Sequence, residues 1–68
     1  MRVLTTSNDP VRLSFLVALL EDAGIGALVL DVHTSAVEGN IGAIPRRLMV
    51  AEHDEWRARR VLAEAGEV

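Results

Sequence analysis

No cysteine, lysine or tyrosine occurs in this 68-residue chain. The missing cysteine excludes a disulfide framework and any thiolate zinc site. Aromatic residues stop at Phe15 and Trp56, so the core has to be aliphatic. A core of this size supplies only about 3–5 kcal/mol, and self-association is the common way to bury more surface. A homodimer is therefore expected. No long apolar run is present either: the longest, residues 15–20, falls far short of the ~20 residues a membrane span needs. The amino terminus lacks the charged, apolar and small-residue order of a signal peptide, so a cytoplasmic location is expected, with no membrane partner.

Positive charge is scarce as well. Seven arginines face ten carboxylates, giving a net charge of −3. That balance does not suggest a general nucleic-acid binder, whose footprint would be a basic stripe, and no nucleic-acid partner is expected. An all-arginine set suits bidentate pairing with carboxylates or phosphates. Half the residues are hydrophobic and mean hydropathy is +0.26, which argues for a folded domain rather than disorder. The length fits one domain, residues 1–68.

Residues 2–6 (RVLTT) predict a first strand. Asp9-Pro10 then opens a helix over 11–23, with Asp9 as N-cap, because proline suits the first turn and the residue before it resists the helical region. Leu13, Leu16, Leu20 and Ala23 share one face, with Leu19 close by and Phe15 and Val17 on its flanks. Gly24 ends the helix, and Ile25 is placed to pack back on the last turn. Residues 26–32 (GALVLDV) predict a second strand. Its alternation puts Leu28, Leu30 and Val32 on one face, expected under the helices, and Ala27, Val29, Asp31 and His33 on the other. A third strand is expected over 47–51. A second helix over 54–65 follows, its buried face formed by Ala58, Val61, Leu62 and Ala65.

A faint repeat supports this layout. Arg2-Val3-Leu4, Asn8-Asp9 and Arg12 match Arg47-Leu48-Met49, His53-Asp54 and Arg57, and LLEDAG at 19–24 matches VLAEAG at 61–66. Two β-α units with a strand between them describe a split βαβ. The expected fold is α+β, a truncated ferredoxin-like β-α-β-β-α. It has a three-stranded mixed sheet, strand three parallel to strand one and antiparallel to strand two, and two helices on one face. A fourth strand, present in the complete fold, is not expected here, which leaves strand one as an open edge.

Between the second and third strands lies DVHTSAVEGNIGAIPRR, residues 31–47. This run, with TSNDP and LLEDAGI, resembles the family of putative prokaryotic signal-transducing proteins over nearly the whole chain. The shared pattern D-x-H-x-S-x-x-E-G-x-x-G-x-x-P-R-R falls on Asp31, His33, Ser35, Glu38, Gly39, Gly42, Pro45, Arg46 and Arg47. The resemblance implies a compact GlnB-like or ferredoxin-like domain in signalling. Glu55-Trp56 departs from the pattern, where an aliphatic residue and then a small or polar one would be expected.

The residues themselves point to binding rather than catalysis. Gly39-Asn40-Ile41-Gly42 is a glycine-spaced turn whose amides can converge on an anion, and Arg46 and Arg47 follow closely. The plainer reading is a turning connection whose arginines pair with Asp31 and Glu38. A metal site would have to combine His33 with Asp31, Glu38 and His53, without the spacing of known motifs, so no metal or cofactor is expected. Ser35 lies two residues from His33 but nothing marks it as an activated nucleophile, and no enzyme activity is expected. Trp56 lies opposite the buried face of its helix, beside Arg60 and Ala63. It either folds over the first turn and stacks on Arg60 or serves as a contact point. The functional expectation is a non-catalytic interaction or regulatory module with a protein partner. Its surface would comprise Asp31, His33, Glu38, Gly39, Gly42, Arg46, Arg47 and Trp56. The alternative is a small-anion or nucleotide sensor at Gly39–Gly42 with Arg46 and Arg47.

Overall fold

The computed structural model describes residues 1–31 and 45–67. The element order is β1 (Arg2–Ser7), α1 (Pro10–Asp22), β2 (Ala27–Asp31), β3 (Arg46–Val50), a single 3-10 turn at Glu52–Asp54 and α2 (Glu55–Glu64). This is the α+β, β-α-β-β-α order that the sequence predicts.

Local chemistry sets the helix ends. The Asp9 carboxylate accepts hydrogen bonds from the amides of Val11 and Arg12 at 3.0 and 3.3 Å, which satisfies two donors the first turn leaves open. Ser7 Oγ in turn accepts from the Asp9 amide at 3.1 Å. At the other end, Gly24 takes φ +80°. There its amide donates to the Glu21 carbonyl and that of Ile25 to the Leu20 carbonyl. That is a Schellman motif. α2 ends in the same way: Gly66 has φ +75°, its amide donates to Ala63, and Glu67 donates to Leu62. The repeated AG of the sequence is thus a repeated helix stop.

The sheet order is β1-β3-β2, and β3 is antiparallel to both neighbours. The expected parallel pairing of β1 with β3, and with it the mixed sheet, is therefore wrong. α1 carries the chain from β1 back to a β2 that runs the same way, one strand's width apart. β3 returns from β2 in the opposite direction and fills that gap, so it opposes both.

The core lies between the sheet and the helices. Leu48 and Val50 of the central strand are fully buried, with Leu4, Leu13, Leu16, Leu20, Ile25, Ala58 and Leu62 around them. Ala23 and Ala65, expected on the buried faces, are exposed because each already belongs to the helix stop. β2 corrects the expectation more sharply. Ala27 and Val29 pack on the core, while Leu28 and Leu30 are 45% and 38% exposed on the opposite face. Ile25, clamped inward by the Schellman turn, fixes the parity, and residues 27 and 29 follow it inward. The face left uncovered by the described helices consequently carries Val3, Met49 and Leu28 in one cross-strand row and Thr6, Arg47 and Leu30 in the next.

Leu4 is an extra residue in β1: Val3 pairs with Met49 and Thr5 with Leu48. The bulge turns Leu4 into the core and bends the strand. Among the described residues, β1 pairs with β3 alone, so its outer edge is open.

Candidate interaction surface

Two stretches hold the candidate residues. Asp31 closes β2 and stands opposite Arg46, the first residue of β3. The two ends of the 31–47 segment are therefore cross-strand neighbours. His33, Glu38, Gly39 and Gly42 lie outside the described residues. Arg46 and Arg47 are consecutive on a strand, so they stand on opposite sides of the sheet. Arg47 shares a row with Leu30 and Thr6 on the uncovered face. Arg46 borders a cleft of about 320 Å3 with Pro10, Leu13, Ser14, Val17 and Val29, between α1 and the sheet. The strand does not hold the two guanidinium groups together as one fork.

Trp56 occupies a different place. It is 76% exposed and borders a groove of about 550 Å3 between α2 and β1. Trp56, Arg60 and Ala63 recur at i, i+4 and i+7 along the outer flank of α2, which is why one groove collects them. Leu4, Leu62 and Ala63 supply apolar lining, and Arg12, Arg59 and Arg60 supply positive charge against Glu67. A groove of this size lies within the ~300–1,000 Å3 range of ligand-binding clefts.

Each arginine of the groove is held by a carboxylate. Arg59 donates through Nε and Nη2 to Glu55 Oε2 at 3.1 and 3.0 Å, and its Nη2 also reaches the Val3 carbonyl at 3.3 Å. Arg2 Nε approaches the other Glu55 oxygen at 3.7 Å and bonds Glu52 through Nη2 at 3.0 Å. Glu55, unexpected at this position, thus ties the start of α2 to β1. Arg12 spans to the far end of the chain, 3.3 Å from Glu67 Oε1 and 3.3 Å from the Glu67 carbonyl. The second Schellman turn holds Glu67 there. Arg60 pairs with Glu64 at 3.5 Å, both well exposed. An exposed pair such as Arg60–Glu64 contributes only about 0–1 kcal/mol, so a partner's carboxylate can replace Glu64 at little cost.

Sequence reasoning singled out Trp56 and set Arg60 and Ala63 beside it. It missed Arg12, Arg59 and Glu67 as members of the same surface. The Arg59 signal was local, a Glu55-to-Arg59 spacing of one helical turn. Arg12 and Glu67 are 55 residues apart, and only the fold joins them. His53 lies 3.6 Å from Asp54 with its imidazole largely exposed. Among the described residues, no three His, Asp or Glu side chains gather as a metal site, and no helix is long and apolar enough to cross a membrane.

A family model described as "putative prokaryotic signal transducing protein" matches residues 1–66. No curated protein matches the chain.

Proposed function

Because the chain belongs to this prokaryotic signal-transducing family, we propose that it is a non-catalytic, cytoplasmic interaction module. It binds a protein partner through the Trp56 groove, together with residues of the 31–47 segment. The observation that carries this reading is Trp56 itself, 76% exposed at the mouth of a groove lined by three arginines. Tryptophan and arginine are among the residues that most often anchor protein interfaces.

The test is a pulldown from the native host with immobilised protein. A partner recovered by wild type and lost with Trp56→Ala and Arg60→Ala supports the groove. His33→Ala and Glu38→Ala in the same assay report on the 31–47 segment. A partner retained by all four variants contradicts both surfaces.

The sensor reading draws on Arg46, which borders the cleft between α1 and the sheet. It requires phosphate or a nucleotide to raise the melting temperature by mass action, and Arg46→Ala to abolish the rise. We further propose that a second copy covers the uncovered sheet face. Its row of Val3, Met49 and Leu28 is wholly apolar, and Leu30 stands in the next, where a solvated antiparallel face would carry polar residues. Val3, Leu28 and Leu30 are 39%, 45% and 38% exposed there. Such a patch suits an isologous twofold contact, in which the same residues meet on both copies. Light scattering that gives the monomer mass at working concentration would contradict it.

A further inference from the structure

We infer that the Trp56 groove takes an extended, acidic peptide segment of the partner, laid along the open edge of β1. This rests on the interaction-module reading and names the chemistry of the partner.

Three observations converge. The first is the edge: β1 is bonded on one side only among the described residues, and its Leu4 and Thr5 line the groove. An unpaired edge offers a row of main-chain donors and acceptors to any extended chain. Second, the groove holds an arginine whose carboxylate can be exchanged. Its charged lining is Arg12, Arg59 and Arg60 against Glu67, with Arg59 and Arg60 paired to Glu55 and Glu64 of their own helix. Arg60 and Glu64 are both well exposed, so an acidic residue of the peptide can take the place of Glu64 on Arg60. Third, the apolar patch of Leu4, Leu62 and Ala63 beside the Trp56 ring forms a pocket for a side chain. In an added strand alternate residues face the same way, so apolar and acidic positions would alternate.

The geometry also sets the limit of pairing. The bulge at Leu4 breaks the regular spacing of β1, and Arg59 already occupies the Val3 carbonyl. Beyond the bulge, residues 5–7 remain, and in an antiparallel strand only alternate residues turn their main-chain groups outward, which makes the edge too short to favour edge-to-edge aggregation. Affinity then has to come from the groove, which makes Trp56 and Arg60 decisive.

The experiment is panning of a phage-displayed random dodecapeptide library against the intact protein, followed by titration of synthetic hits. Selected peptides are expected to alternate apolar with Asp or Glu. They should shift the Trp56 indole and the amides of residues 5–7 in heteronuclear NMR spectra, and weaken about tenfold or more with Trp56→Ala or Arg60→Ala. N-methylation of alternate peptide amides should abolish binding while leaving the side chains intact. Peptides that bind the groove but are basic, helical or indifferent to N-methylation overturn this inference and leave the interaction-module reading standing. Hits that never touch Trp56 overturn both. Saturation of the same resonances by inorganic phosphate, with peptides failing to compete, makes the groove a small-anion site. Concentration-dependent shifts of residues 5–7 without peptide make the edge a contact between two copies. Either result overturns the proposal.

Discussion

Replacing Leu48 by alanine tests the layered core at its centre. Leu48 is fully buried on the strand that both edges share. Truncating a leucine in such a site loses its transfer free energy and leaves a cavity, about 3–5 kcal/mol in total. A domain of this length has roughly 3–10 kcal/mol to lose. Unfolding entropy near 2.1 cal/mol/K per residue converts each kcal/mol into about 7 °C here, so the melting point should fall by roughly 20–35 °C. Leu30→Ala is the control. Leu30 is 38% exposed on the uncovered face, and its loss should cost about 1 kcal/mol, near 7 °C. Thermal melts followed by circular dichroism in dilute solution compare the two. If Leu48→Ala melted within 5 °C of wild type, or Leu30→Ala fell as far as Leu48→Ala, the assignment of faces would be wrong.

Asp9→Ala removes the acceptor of two amides at the start of α1; it should cost about 1 kcal/mol, seen as a melting point about 7 °C lower. Gly24 has φ +80° with open space where a Cβ would project. Gly24→Ala should therefore destabilise by about 1–2 kcal/mol through backbone strain alone, with Gly24→Asn milder because asparagine tolerates that region; equal losses in urea melts would contradict this. For Arg12 and Glu67, half-exposed and one-fifth exposed as side chains, a double-mutant cycle should give a coupling of only about 0.2–1 kcal/mol that shrinks in high salt. A larger, salt-insensitive coupling would mean that the pair is a structural clamp rather than an exchangeable one.

The parts of this fold that were legible in the sequence are those set by neighbouring residues. Asp9-Pro10 marks a helix start, and Ala-Gly marks both stops, because capping involves only the adjacent turn. The inward face of β2 was misjudged because both of its faces are apolar, and larger Leu28 and Leu30 outweigh Ala27 and Val29 on hydrophobicity alone. Counting by twos from Ile25, whose place the helix stop dictates, gives the face that the fold adopts. Strand direction was misjudged for a related reason. Two matching β-α units whose strands lie side by side are related by a twofold rotation, which sets those strands antiparallel. The Trp56 groove was half legible: the helical stripe of Trp56, Arg60 and Ala63 can be counted along the chain, whereas β1 and Arg12 reach it only through tertiary packing.

The chain has a single tryptophan, so its indole reports on the groove alone. The most direct measurement is fluorine NMR of protein labelled with 5-fluorotryptophan, titrated with the partner recovered from the host. Trp56 at a binding surface predicts one resonance in the free protein that moves, and loses its sensitivity to solvent, as the complex forms. A complex that forms while that resonance stays in place would contradict the account.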